Sequence, residues 1–317
     1  MQPEIGGVIV ASITPFTQDG KVDEGALREH INFLVSRGVN ALFMCGTYGQ
    51  GPLMSVEQRK ETFRIAVEAS ERKVPVIAHV GSATTEIAVK LSKYAEAVKA
   101  DAVSSIPPWY YGSRYDEQSI RDYFETVAAA AGLPFFVYNI PEYTGVNISP
   151  QLLFKLADEV DNIVGIKDST NDLVQFCNYI SVVKKKGFKY IMGSEDRMLA
   201  SLVLGAHGAV TTLGNVFPEF YIGIYKAFKE KNYGLAKELQ FKTIEIKKIL
   251  RKGPYLSGYH EAINLLGRQG GYTLRPLRPA SPEEKKSLEE GLRTHNLLLN
   301  KEIGKRSDKT RKHYYSE

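Results

Sequence analysis

The sequence predicts an α/β fold, a (β/α)8 TIM barrel with a C-terminal helical extension. Three observations carry that expectation. Short apolar runs alternate with amphipathic stretches in a steady rhythm along residues 8–230. The runs are continuously apolar, as in parallel strands covered on both faces. Eight such units match a closed barrel in number and length better than an open doubly wound sheet.

Each element has a local reason. Residues 8–14 read as a buried strand and 23–37 as a helix, with Asp23 at the N-cap position. Residues 41–44 form a strand, and Ser55 opens a helix with Gln58 three residues on, a capping-box arrangement. Strand 74–79 precedes a helix from Thr84 or Thr85 to Val98, and strand 102–105 precedes helix 116–130. Strand 134–139 is followed by a helix opening near Ser149, with Pro150 suited to its first turn. Strand 163–167 pairs with helix 171–185, strand 190–193 with a short helix 197–204, and strand 208–211 with helix 218–230. Three further helical stretches, 233–251, 257–266 and 282–299, follow without a Ser/Gly/Pro linker. The expected organisation is therefore a barrel at 1–232, a packed helical extension at 233–300, and a basic, mobile tail at 301–317.

Composition narrows the function classes. The 317 residues hold 41 Lys/Arg and 36 Asp/Glu, a net charge of +5. Lys301, Lys305, Arg306, Lys309, Arg311 and Lys312 face only Glu302, Asp308 and Glu317, so most of the excess lies in the tail. The body is nearly neutral, which argues against a nucleic-acid face. No apolar run approaches the roughly 18 residues that span a bilayer. The N-terminus lacks a basic segment and places Glu4 before its apolar stretch, so no signal peptide is expected. Two cysteines, Cys45 and Cys177, fit a reducing compartment and a cytoplasmic protein. Cys45 is expected to be a buried structural thiol. The six histidines are scattered, and phosphate, flavin and nicotinamide motifs are absent, so neither metal nor organic cofactor is expected.

In a (β/α)8 barrel the chemistry lies at the C-terminal ends of the strands. Four strand ends stand out. Gly165-Ile166-Lys167-Asp168-Ser169 closes the sixth strand with a lysine. Burial there would lower its pKa and give a neutral amine able to attack a carbonyl, unless it reaches water or pairs with Asp168. Phe136-Val137-Tyr138-Asn139-Ile140-Pro141 ends strand five with a tyrosine, either a core aromatic or a proton carrier. Gly46-Thr47-Tyr48-Gly49-Gln50-Gly51 follows strand two and lets backbone amides approach an anion. Pro107-Pro108-Trp109-Tyr110-Tyr111-Gly112 follows strand four as a lid or subunit contact.

These stations, with Gly193-Ser194-Glu195 and the 29-residue spacing from Tyr138 to Lys167, resemble the dihydrodipicolinate synthase/N-acetylneuraminate lyase family of class I aldolases over residues 5–300. The resemblance implies a pyruvate Schiff base on Lys167 with Tyr138 as the general acid/base. Thr47 corresponds to the hydroxyl of a proton relay, and Tyr110 to the tyrosine that completes it from a neighbouring subunit, implying a homotetramer built as a dimer of dimers. Backbone around Thr47 and Tyr48 would hold the pyruvate carboxylate, and no metal or cofactor is needed.

Departures from the family pattern narrow the acceptor. Tyr48 replaces a second small hydroxyl residue and Gln50 a glutamate. Where dihydrodipicolinate synthases carry an arginine two residues after the proline, this chain has Tyr143 between Glu142 and Thr144. The pattern is similar to that of archaeal 2-keto-3-deoxygluconate aldolases, implying pyruvate and a neutral polyhydroxy aldehyde as partners. Ser169, Gly193, Glu195, Thr211 and Thr212 are the candidate sugar contacts, although Ser and Thr after strands also cap helices. Arg114 is the candidate for a phosphate, and the unphosphorylated sugar acid is the expectation. The rivals are the same Schiff base with another acceptor or with dehydration, a binding protein without turnover, and nucleic-acid binding through the tail.

Overall fold

A computed structural model describes residues 4–298. Eight strands close into a barrel in sequence order, every pair parallel. They are β1 (Gly7–Ala11), β2 (Ala41–Met44), β3 (Val76–His79), β4 (Ala102–Ser105), β5 (Phe135–Asn139), β6 (Ile163–Asp168), β7 (Lys189–Met192) and β8 (Gly208–Thr211). Helices α1 (Glu24–Ser36), α2 (Val56–Ser70), α3 (Thr85–Ala97) and α4 (Glu117–Ala129) follow the first four strands. A single turn α5 (Pro141–Thr144) and then α6 (Pro150–Glu159) follow β5. Next come α7 (Leu173–Val182), α8 (Met198–Val203) and α9 (Pro218–Lys229). The extension comprises α10 (Tyr233–Leu250), α11 (Ser257–Leu265) and α12 (Pro282–Thr294). No described helix is long and apolar enough to cross a membrane.

The caps read from sequence are formed. Asp23 accepts from the Ala26 amide at 3.0 Å, and Ser55 and Gln58 exchange both hydrogen bonds of the capping box. Each such cap contributes about 1 kcal/mol. Helix α7 stops three residues short of the expected 185. Val183 turns extended, and Lys185 Nζ then donates to the carbonyls of Ala157, Val160, Asp161 and Ile163, satisfying the end of α6. The turn α5 was not foreseen, because four residues leave no periodicity. The tail at 301–317 lies outside the described residues.

Two apolar layers hold the fold. One lies between sheet and helices; the other fills the barrel interior with Ile9, Phe43, Ile77, Phe136, Tyr138, Ile191 and Val210. Burying each large side chain contributes roughly 1.5–3 kcal/mol. The extension is tied to the barrel mouth through Gln50, whose Oε1 accepts from the Leu274 amide at 2.7 Å. Phe16 also pairs with Tyr272 in an isolated antiparallel bridge.

Candidate active site

Side chains alternate along a strand, so Lys167 points into the barrel and Asp168 out toward the helices. Lys167 lies directly beside Tyr138 in the β5–β6 register. Its Nζ sits 3.5 Å from the Tyr138 ring centre and 4.2 Å from that of Phe43. Phe43, His79 and Tyr138 meet pairwise at 5.8 Å between ring centres. Gly165, two residues below Lys167, is required by this packing: a Cβ there would lie 2.4 Å from the Phe136 ring.

Only 5% of Lys167 is exposed, and no described carboxylate lies within 4.0 Å of its amine. Burial lowers its pKa from the ordinary 10.5, with the neighbouring Tyr138 hydroxyl opposing in part. Asp168 does not pair with it. That carboxylate accepts from Asn139 Nδ2 at 3.1 Å and from the Thr170 hydroxyl at 2.7 Å, and burial pushes its pKa up to about 6. Asn139 also donates to Asn147 Oδ1 and the Tyr179 hydroxyl, and accepts from the Ile148 amide, which anchors the loop after β5.

Ser169 and Gly193 meet at the ends of β6 and β7, one step beyond Lys167; a Cβ on Gly193 would lie 1.9 Å from Ser169 Oγ. Thr47 is half-buried, and its hydroxyl has no hydrogen-bond partner among the described residues, Tyr138 included. Tyr48 turns its ring onto Tyr259 at 5.3 Å and Tyr255 at 6.0 Å. Burial, then the Glu195 carboxylate, push the Tyr48 phenol up to about 12. Tyr110 is 85% exposed with φ at +79°, its ring edge-on to Tyr111. Arg114 is exposed. Cys45 is buried, and burial pushes its thiol up to about 12, so it is a poor nucleophile.

Glu195 and Thr211 are not brought to Lys167. Val210 belongs to the interior layer, so Thr211 faces outward. Its hydroxyl donates to Glu195 Oε2 at 2.7 Å, and the same oxygen accepts from the amides of Thr212 and Leu213 at 2.6 and 2.9 Å. Glu195 Oε1 is 3.0 Å from Lys247 Nζ, which also reaches Asp196 at 2.9 Å. Burial alone would raise the Glu195 carboxyl, but the Lys247 charge and these donors hold it below the ordinary carboxylate range. The pair locks β7, β8 and α10 together.

Sequence reasoning missed two features. His79 ends β3 inside the barrel, as Lys167 stands near the end of β6; burial, then the Arg59 and Lys167 side chains, lower its pKa well below 6.5. Its only signal was a polar residue ending an apolar strand. Tyr255, in the loop between α10 and α11, brings its hydroxyl within 2.9 Å of that of Tyr143. No local pattern links two tyrosines so far apart in sequence.

The fold is a closed (β/α)8 barrel, and the candidate residues gather at the C-terminal ends of its strands. The chain matches the Dihydrodipicolinate synthetase family over residues 4–295 and belongs to it; the family comprises pyruvate-dependent class I aldolases and lyases. It is 32% identical to the probable 2-dehydro-3-deoxy-D-pentonate aldolase YjhH of Escherichia coli K12, over 93% of this chain and 99% of that protein. It is 33% identical to the 4-hydroxy-tetrahydrodipicolinate synthase of Methanocaldococcus jannaschii, over 92% and 99% of the two chains. Among solved structures it is similar to YagE, a prophage protein of E. coli K12 in complex with pyruvate. The TM-score is 0.88 at 30% identity, covering 93% of this chain and 99% of that one.

Proposed function

We propose that this protein is a cytoplasmic Schiff-base aldolase that reversibly cleaves 2-keto-3-deoxygluconate to pyruvate and glyceraldehyde. The observation that carries the reading is the buried Lys167 amine, with no carboxylate of the described residues within 4.0 Å and set against Tyr138. The neutral amine attacks the C2 carbonyl and, with loss of water, forms an iminium. Tyr138, having given its phenolic proton to the departing water, takes the proton of the C4 hydroxyl as the C3–C4 bond breaks. The aldehyde leaves, and the bonding electrons pass into the iminium, converting it to a neutral enamine. Protonation at C3 and hydrolysis then return pyruvate and the free lysine.

Thr47 stands ready to relay protons from Tyr138. Backbone amides at Thr47 and Tyr48 receive the pyruvate carboxylate, since the Tyr48 ring is turned away onto Tyr259. The exposed Tyr110, held at positive φ, suits a side chain delivered to a neighbouring copy in a homotetramer. Ser169 and Gly193 border the acceptor side. Tyr143, in place of a cation, favours a neutral hydroxylated acceptor over a carboxylate. A five-carbon keto-deoxy acid is the second reading, favoured by the likeness to the protein named as a pentonate aldolase.

Borohydride reduction with pyruvate, followed by intact mass, tests the chemistry. One reduced adduct per chain is expected, absent in Lys167→Ala; a wild type without adduct sinks the mechanism. Tyr138→Phe is expected to keep the adduct while cleavage falls by about 10²- to 10⁴-fold. Cleavage at wild-type rate would remove Tyr138 from the acid/base role.

A further inference from the structure

The loop that carries Tyr255 is built with unusual backbone constraint. Leu256 has φ +59° and ψ −46°, and the Ser257 amide bonds the Tyr255 carbonyl at 2.7 Å. That is a γ-turn in the strained, positive-φ form, rare for a residue with a branched side chain. Three contacts hold it. Leu256 is buried, and Ser257 Oγ donates to the Arg278 carbonyl at 2.6 Å. Gly258 lies so close to the end of α10 that a Cβ would be 2.4 Å from the Leu250 carbonyl oxygen.

The result of this strain is one partly exposed tyrosine, Tyr255, directed at the barrel mouth. It stands beside Tyr48, hydrogen-bonds Tyr143 and lies within electrostatic reach of Tyr138. Tyr143 comes from α5 at the end of β5, so the hydroxyl pair spans from a barrel loop to the extension. Each phenol can donate one hydrogen bond and accept others, which suits hydroxyl groups at the far end of a bound substrate.

We infer that the Tyr143–Tyr255 hydroxyl pair reads the acceptor end of the substrate, making Tyr255 a specificity-determining residue supplied by the C-terminal extension. This rests on the aldolase reading above and adds to it the group that selects a hydroxylated aldehyde.

The test is the aldol direction, with pyruvate and either glyceraldehyde or propanal, in wild type, Tyr255→Phe, Tyr143→Phe and the double variant. The readout is the glyceraldehyde-to-propanal ratio of kcat/KM. Removing either hydroxyl is expected to lower that ratio by about 3- to 10-fold, the scale of one net hydrogen bond. The double variant is expected to lose less than the product of the single losses, because the two hydroxyls act as a pair. Borohydride trapping of pyruvate in the same variants reports the Lys167 site separately. An unchanged ratio in variants that still form the adduct overturns this inference alone. A wild type that forms no adduct overturns it together with the aldolase reading.

Discussion

Lys167 and Lys247 are buried to nearly the same degree, 5% and 8% exposed, yet their ammonium groups are treated oppositely. Burial pushes both pKa values down. At Lys167 it prevails, whereas at Lys247 the Glu195 and Asp196 carboxylates overcome it and hold the pKa above 10.5. Depth alone therefore does not lower a lysine's pKa; depth without a counter-charge does. One end of the barrel mouth spends its lysine on holding β7, β8 and α10 together. The other keeps an amine whose charged form burial penalises more than Tyr138 offsets.

Removing Lys247 is the largest expected perturbation. Lys247→Met leaves Glu195 enclosed with hydrogen bonds but no cation, and Asp196 without its partner. Breaking one side of a buried pair costs about 3–5 kcal/mol. Urea unfolding should show that loss as a lower midpoint with an unchanged slope, while the folded fraction still forms the pyruvate adduct at Lys167. A cost below about 1 kcal/mol would mean the pair is solvated rather than structural.

A smaller loss is expected from Gln50→Glu, which restores the family's usual loop residue. His260 Nδ1 lies 2.6 Å from the Gly270 carbonyl and must carry the proton there, leaving Nε2 as an acceptor for the Gln50 amide at 3.3 Å. A glutamate would set oxygen against that lone pair, at about 1–3 kcal/mol for an unsatisfied buried polar contact. Burial lowers the His260 pKa from 6.5 to about 4, so the neutral ring stabilises the wild type above 6.5, and that contribution is lost as pH falls toward 4. In Gln50→Glu the carboxylate raises that pKa, so the cost should shrink on acidification. Thermal melts between pH 4 and pH 8 check both signs, and a pH-independent difference would contradict the pairing.

The residue pair Gln50–His260 also shows what the sequence could and could not reveal. Strands β1 to β8 were legible because each is a short apolar run with a helix behind it; strand-end position alone left Lys167 and Tyr138 open, and they were legible through the family's motifs around them and the 29-residue spacing between them. The departure at Gln50 was legible only as a departure. Its reason lies 210 residues away, on the ring of His260. Glu195 and Thr211 were expected near the sugar because they stand at strand ends. Strand alternation turned Thr211 outward, and Lys247, from a helix whose docking no local pattern encodes, claimed Glu195. Tyr255 was silent for the same reason: its place follows from how the extension folds over the barrel.

The mildest and most discriminating change is Lys167→Met. Methionine fills a similar volume between Phe43 and Tyr138 without a group that burial penalises. At pH 7 the variant is expected to be as stable as wild type, or more stable by up to about 1 kcal/mol, although it forms no adduct. The sign of the pH dependence follows from the lowered pKa. Between the native value and 10.5 the unfolded chain holds the proton that the folded chain has released, so wild-type stability gains on the variant as pH rises through that window. Below the native pKa the difference is greatest and constant, and above 10.5 it loses the ionic contribution. Paired unfolding curves from pH 7 to pH 10.5 measure the gap. The same lowered pKa should appear as the rising limb of the borohydride-trapping rate, at a pH below 10.5. A flat stability difference with a trapping limb at 10.5 or above would show that the Lys167 ammonium is as comfortable as that of Lys247, and the contrast between the two lysines would fail.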